Sequence, residues 1–299
     1  MHKIEYYLVY GLFRLFRNIS FKTGKKIASL LYFLVAVLFR YRKKVILENL
    51  HRVYGTRLPD DERTLLRSIY KNFIYLWMEF LQSGKMIEDA VDKHFTFYNI
   101  EILNEGIESG KGVLLLSSHF GNFEWLAQVL PKMGYSVSGI AKRQSNPYVN
   151  AFVEERRTRT GLQIIYTRDA VKQSLKALKR GEIVALVADQ DARDRGVFVD
   201  FMGLPSSTAV GPAVMHLRSG APIILIISIR KDYGRFDVYF EEIVPVGQNK
   251  EEVTNDEIVH ITQMHAAALE RWVRKYPEQW FWMHRRWKTK PEEELRIEN

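Results

Sequence analysis

The stretch Gly112-Val-Leu-Leu-Leu-Ser-Ser-His119-Phe-Gly-Asn-Phe-Glu124 constrains the fold more than any other part of the chain. Val113 to Leu116 is an unbroken apolar run, the pattern of a strand buried on both faces. Gly121-Asn122 brings turn chemistry directly after it. Phe123, Trp125, Leu126, Val129 and Leu130 then return at helical spacing. A doubly covered strand followed at once by a helix belongs in a layered α/β fold. His119 then lies just beyond the strand's C-terminal edge, where open α/β sheets place their chemistry.

His119 and Glu124 are candidate catalytic residues because of that context. In mid-helix, residues five apart diverge by roughly 140°. With His119 in the turn before the helix, the Glu124 carboxylate is expected to reach back to the imidazole and fix its tautomer. The other ring nitrogen is then free to take a proton from a hydroxyl. As a bare pattern His-x4-Glu is weak, since eight His and 35 acidic residues in 299 give about one match by chance. A second match, His265 and Glu270, falls inside a long helical pattern and is read as that chance match.

Strands and helices alternate after Gly112. Strands are expected at Tyr135–Ala141, Leu162–Tyr166, Ile183–Ala188 and Ala221–Ile229, with an edge strand at Phe236–Val246. Helices are expected from Asn146-Pro147 to about Thr160, at Asp169–Arg180 with Val171, Leu175 and Leu178 inward, and at Thr208–Ser219. Thr254-x-x-Glu257 is a capping box that opens a long helix. The expected class is α/β, with a mixed, largely parallel sheet flanked by helices and an N-terminal helical membrane-associating region. The boundaries expected from the pattern are 1–47 for that basic, aromatic segment, 48–100 for a helical cap, and 101–299 for the α/β domain.

Net charge of +9 calls for an anionic partner: nucleic acid, an anionic membrane surface or an acidic protein. The N-terminal segment favours the membrane. Ile27 to Phe39 is apolar but for Ser29, an uninterrupted core of about 13 residues where a spanning helix needs about 20. Lys25-Lys26 and Arg40-Tyr-Arg42-Lys43-Lys44 flank it, as suits a helix lying in an anionic leaflet, with a single span left open. Nucleic acid is disfavoured, because no recognised nucleic-acid fold signature accompanies the charge. The chain has no cysteine, which excludes disulfides, thiolate metal sites and cysteine nucleophiles.

Other polar groups fall on the same sheet edge. Lys142-Arg143 follows a strand, so its cations are expected to point toward His119. Asp189-Gln190-Asp191-Ala-Arg193-Asp-Arg195 follows the next buried strand. Near the C-terminus, Trp280-Phe-Trp-Met-His284-Arg285-Arg286-Trp287-Lys288 interleaves aromatics with cations, a composition suited to a headgroup zone, phosphates or stacked bases.

His119-Phe-Gly-Asn-Phe-Glu124 resembles the His-x4-Asp/Glu motif of the glycerolipid and lysophospholipid acyltransferase superfamily. The ending Pro277 to Lys288 is similar to the tail of one branch, the late acyltransferases of lipid A biosynthesis. Arg42 to Leu50, Asn146-Pro147, Arg157-x3-Gly161, Asp189-Gln190-Asp191 and Gly196-Val-Phe-Val-x-Phe201-x-Gly203 complete the likeness in order along nearly the whole chain.

The resemblance implies an O-acyltransferase at the cytoplasmic face of a bacterial inner membrane, held there through residues 1–44. It would move a fatty acyl chain from a thioester, usually on acyl carrier protein, to a hydroxyl of an anionic lipid acceptor. His119 would be the general base and Glu124 its orienting partner. Arg143 and Asp189 would line the acceptor side, with Asn146, Arg157, Gln190 and Asp191 the other implied substrate-binding positions. The sequence departs from the family beside the acceptor residues: Asp191-Ala-Arg193 replaces an aromatic-Gly pair, and Met202 stands where a second Phe is common. No metal or organic cofactor is required. Without a Gly-x-Ser-x-Gly elbow or a cysteine, direct transfer fits better than an acyl-enzyme. Two rivals are a phospholipid or phosphoglycolipid acyltransferase using acyl-CoA, and a membrane-surface binding protein in which His119 and Glu124 are structural.

Overall fold

The computed structural model of the protein describes residues 2–291. The chain runs α1 (His2–Arg17), α2 (Phe21–Tyr32), a π-helical turn (Phe33–Leu38), α3 (Lys43–Tyr54), α4 (Glu62–Leu81) and α5 (Ser83–Glu88). There follow β1 (Phe95–Tyr98), α6 (Ile100–Glu108), β2 (Val113–Ser117), α7 (Phe123–Lys132), β3 (Val137–Ala141), α8 (Pro147–Thr158) and β4 (Gln163–Tyr166). The remainder is α9 (Ala170–Lys179), β5 (Ile183–Val187), β6 (Gly196–Phe201), β7 (Leu204–Ala209), α10 (Gly211–Ser219), β8 (Ile223–Asp232), β9 (Arg235–Val244) and α11 (Asn255–Lys275).

The seven-stranded sheet has the order β1-β9-β8-β2-β5-β3-β4, and every neighbouring pair is parallel except β8 with β9. The expected α/β class with a largely parallel sheet is therefore what the chain adopts. Strand β2 lies between β8 and β5, which is why Val113–Leu116 is apolar on both faces. Leu114 and Leu116 pack into the layer of Ile261 and Leu269, while Val113 and Leu115 pack into that of Trp125 and Val129. Thr254 and Glu257 form the expected capping box, and α11 runs 21 residues from it.

Several details differ from the sequence reading. Residues 95–98 form β1, which pairs with β9 and makes it an interior strand rather than an edge. A run as short as Phe-Thr-Phe-Tyr carries too little periodicity to separate it from the helical pattern before it. Thr208 belongs to the hairpin β6–β7, turned by Met202 and Gly203, both at positive φ, so α10 begins at Gly211. On α9, Ala177 and Leu178 are buried with Ser174, while Val171 is exposed.

The N-terminal segment is folded onto the sheet domain. On α1, Phe13 is buried against Phe80 and Phe152. On α2, Ala28 packs with Ile74, Tyr75 and Met78 of α4. The 13-residue apolar core is divided between α2 and the π-helical turn, and no helix of the described residues is long and apolar enough to cross a membrane. The helical path ends after Leu38, because Arg40 and Arg42 sit at positive φ and turn the chain sharply before α3.

Candidate active site

Strand β2 delivers Ser118 and His119 to the C-terminal edge of the sheet, and a tight turn through Gly121 starts α7. Gly121 has φ +54, and a Cβ there would meet the Ser228 carbonyl at 1.9 Å, so only glycine lets the turn pass this close to β8. The turn is pinned from three sides. Asn122 N–H donates to Ser228 Oγ at 2.9 Å, Gly121 N–H donates to the Gln279 carbonyl at 3.0 Å, and the Asn122 side chain caps α7 at Trp125 N–H.

The carboxylate on the imidazole is Asp189, not Glu124. Asp189 follows β5, the neighbour of β2, so register alone brings it beside His119. Its Oδ1 is 2.7 Å from His119 Nδ1, and its Oδ2 accepts from the His119 backbone N–H at 2.9 Å and from Trp280 Nε1–H at 2.9 Å. Asp189 is thus fully buried and fully bonded, as a buried carboxylate must be. His119 Nε2 lies 3.2 Å from the Gln190 amide nitrogen, and the His119 side chain keeps 24% of its surface exposed. With Nδ1–H donating to Asp189, Nε2 is the basic nitrogen and accepts from the Gln190 amide.

Electrostatics follow from this contact. Burial opposes charging His119, but the charge and hydrogen bond of Asp189, with a smaller contribution from Glu124, outweigh it and raise the imidazole's pKa. Burial likewise pushes Asp189 up, and the opposing pull of His119 and the Trp280 and backbone donors leaves it below its ordinary value. The two shifts agree: the pair favours imidazolium–carboxylate.

Glu124 turns instead to α8. It accepts from Arg157 Nη2 at 2.6 Å and Arg157 Nε at 3.2 Å, a two-pronged bond that docks α8 on the first turn of α7. The reach back to the imidazole does not occur because α7 begins at Phe123, which puts Glu124 on the outer side of the first turn, facing α8.

The other sequence candidates divide. Gln190 joins the site through His119 Nε2. Asn146 caps α8 and donates to the His2 carbonyl and Glu5, fastening α1. Asp191 turns to the C-terminal segment, where Thr289 Oγ1 donates to it at 2.9 Å and its own N–H donates to His284 Nε2 at 3.1 Å. Arg143 does not point to His119; it is exposed and stacks over Tyr166 with its guanidinium carbon 4.2 Å from the ring centre. Arg193 and Arg195 are also exposed. His265 is a buried, neutral histidine, pushed down to about 4 by burial and by Arg286. Glu270 points elsewhere, to the Met202 N–H and Arg274, so the second His-x4-Glu is indeed structural.

Sequence reasoning missed the C-terminal strap. Trp280, Trp282 and Trp287 are buried rather than presented to headgroups, and so is Arg286, which bonds the Ser207 carbonyl and Thr208 Oγ1. Asn49 holds the strap from α3 through the Trp282 and His284 carbonyls at 2.8 and 2.7 Å. Phe120 and Trp280 form an isolated antiparallel bridge, and Phe281 rests 6.0 Å from the His119 ring. The available signal was the density of tryptophan, which is more a mark of burial than of wet surface.

Comparison with known proteins identifies the family. The family described as bacterial lipid A biosynthesis acyltransferase matches residues 1–289. The lipid A biosynthesis palmitoleoyltransferase of Escherichia coli K12 is 25% identical over 257 residues, 84% of this chain and 80% of that protein. The lauroyltransferase of the same organism is 23% identical over 256 residues, again 84% and 80%. A phosphatidylinositol mannoside acyltransferase from Mycolicibacterium smegmatis is 22% identical over 247 residues, 80% of this chain and 77% of that one. With the match running over residues 1–289, the chain belongs to the bacterial lipid A biosynthesis acyltransferase family and is an O-acyltransferase.

Proposed function

We propose that the protein transfers a fatty acyl chain from an acyl thioester to a hydroxyl of an acidic membrane glycolipid, with His119 as general base and Asp189 as the carboxylate that orients it. The carrying observation is the division of the imidazole: Nδ1 bound to a buried carboxylate, Nε2 left as the basic nitrogen of a side chain that is 24% exposed. Neutral His119 takes the acceptor hydroxyl proton at Nε2 while the oxygen attacks the thioester carbonyl. Asp189 stabilises the resulting imidazolium. Collapse of the tetrahedral adduct expels the thiolate, which recovers the proton from Nε2 and leaves the ester. The Gln190 amide beside Nε2 is a polar group available to the developing oxyanion.

The apolar side of the site suits the acyl chain. From His119 a row of rings runs through Phe281 to Phe73, 5.9 Å apart, and on to Tyr41 at 5.9 Å and Trp77 at 6.3 Å. Trp77 is 48% exposed and Tyr41 46%, so this row ends at the surface that also presents Phe33, Leu38 and Phe39. That exposed apolar face, with Arg40, Lys43 and Lys44 beside it, is what a helix-lined attachment to an anionic leaflet requires. It supports association with a membrane surface, which we take to be the cytoplasmic face of the inner membrane.

Relatives named for a lipid A step and for a phosphatidylinositol mannoside step lie at similar identity, which supports a membrane glycolipid as the acceptor class. Acyl carrier protein is the donor we favour. The assay is transfer of a labelled acyl group in detergent, with carrier-protein and CoA thioesters offered separately. Wild-type turnover by a well-folded His119→Ala protein would sink the mechanism, and a preference for acyl-CoA would replace the donor.

A further inference from the structure

A second cavity lies away from His119, between α1, α5 and α8. It measures about 500 Å³, and its lining includes Arg14, Arg17, Lys85 and Arg156 against one carboxylate, Glu88. Arg17 is paired with Glu88 at 3.5 Å. Among the described residues no carboxylate pairs with Arg14, Lys85 or Arg156. Arg156 stacks on Phe152 at 4.7 Å and Phe13 at 5.6 Å, and its buried Nε has no hydrogen-bond partner among the described residues. Burial, with the like charges of Arg159 and Arg17, outweighs the favourable charge of Glu155 and disfavours its guanidinium charge. Like charges gathered in a concave space around an unsatisfied donor are stabilised by an anion with several acceptor oxygens.

The position of the cavity says which anion. Tyr10, Phe13, Arg14 and Arg17 line it from one side of α1, while Leu8, Leu12 and Leu15 of the same helix are exposed. An apolar helix face beside a cationic, ring-walled hollow matches a molecule with acyl chains and a phosphate end. A convex acidic protein surface does not fit a hollow of this kind. We propose that the α1–α5–α8 cavity binds the phosphate of an anionic membrane lipid, at a site separate from the acyl-transfer centre.

The test uses the full chain in detergent and reads the rate at which an amine reagent modifies Lys85, with exposed Lys172 on α9 as internal reference. Dihexanoyl phosphatidic acid is expected to slow Lys85 modification and leave Lys172 unchanged, while dihexanoyl phosphatidylcholine and inorganic phosphate at the same concentration slow neither. Arg14→Gln with Arg156→Gln should weaken that protection by about thirtyfold, at about 1 kcal/mol for each cation near a lipid phosphate. Arg14→Gln alone, at an exposed position, should weaken it about fivefold and keeps the test valid if the double variant misfolds. Equal protection by phosphatidylcholine, equal protection by inorganic phosphate, protection by acyl carrier protein alone, or no protection by any probe would each overturn the proposal. None of these readouts depends on acyl transfer, so the fate of the His119 mechanism is decided separately.

Discussion

Asp189 binds His119 twice, through the ring and through the backbone: Oδ1 is 2.7 Å from Nδ1, and Oδ2 accepts the His119 N–H at 2.9 Å. The same carboxylate therefore sets the tautomer of the imidazole and the end point of the turn that carries it. Trp280 Nε1–H completes the shell, so the C-terminal strap takes part in holding the proposed base.

Asp189→Asn should lower kcat by about 10²–10⁴, with a changed pH profile as its signature. The base works only when neutral, so activity in the wild type rises as pH climbs through a His119 pKa raised above 6.5. Removing the carboxylate removes the cause of that rise and leaves burial, which lowers the pKa. The acid limb should then move to lower pH while the plateau falls. A limb that stays in place would show that another group titrates. Linkage gives a second readout. The raised His119 stabilises the fold below its ordinary value of 6.5 and loses this as pH rises through its folded pKa. The lowered Asp189 stabilises above its ordinary 3.8 and loses this as pH falls through its folded pKa. Tm of wild type relative to Asp189→Asn should therefore differ most between those two values.

Glu124 and Arg157 should act as one unit. Each alone, as Glu124→Gln or Arg157→Gln, leaves a part-buried partner without its counter-charge and should lower both Tm and turnover. Together their effects should fall short of additive, with a coupling of about 1–3 kcal/mol in a double-mutant cycle on unfolding. Strict additivity would mean that Glu124 acts elsewhere, including on the imidazole as the spacing suggested.

What the sequence disclosed and withheld divides along the range of the forces involved. The β2–turn–α7 unit is local: its apolar run, Gly121 and the cap residue Asn122 are contiguous, so His119 could be placed at a strand edge by pattern alone. Its carboxylate partner could not, because Asp189 is 70 positions away and reaches His119 through β2–β5 pairing. Spacing favoured Glu124 over Asp189 for the same reason: a five-residue separation is visible and a lateral strand neighbour is not. The strap was misjudged because alternating Trp and Arg look alike at a wet surface and in a core where Arg286 finds Ser207 and Thr208.

The turn also rests on a buried ion pair that no spacing announces. Glu79 on α4 accepts from Arg230, from Asn122 Nδ2 at 2.8 Å and from the Gly234 N–H at 2.8 Å, and Arg230 Nε donates to Asn72 at 2.9 Å. Arg230→Met removes the counter-charge of Glu79, whose carboxyl is already pushed up by burial, and should cost about 3–5 kcal/mol of stability, whether the group stays charged or is forced to take up a proton. Adding Glu79→Gln should recover much of that, since the stranded carboxyl is then gone. Thermal unfolding of the single and double variants checks the order; a double variant no more stable than Arg230→Met would contradict it.

Membrane attachment should reside in side chains and not in a removable N-terminal piece. The resemblance implied that residues 1–44 hold the protein to the membrane. In the structure, deletion would uncover Phe80 and Phe152, which Phe13 covers, and Met78, which Ala28 covers, so a truncated protein should misfold or aggregate. Substituting outward residues separates the two roles. Leu8, Leu15 and Phe39 are 63%, 61% and 72% exposed, so changing all three to Gln spares the interior. Each apolar side chain moved from water to an acyl environment contributes about 1.5–3 kcal/mol, and partial insertion of three should still be worth at least about a hundredfold in partitioning. The triple variant should leave the membrane fraction yet keep wild-type Tm and transfer to a detergent-solubilised acceptor. Residual binding should fall with salt, because Arg40, Lys43 and Lys44 act through screened charge. If the triple variant still sediments wholly with membranes, attachment lies on another face, and the Trp280–Lys288 strap is a poor alternative because its tryptophans are buried.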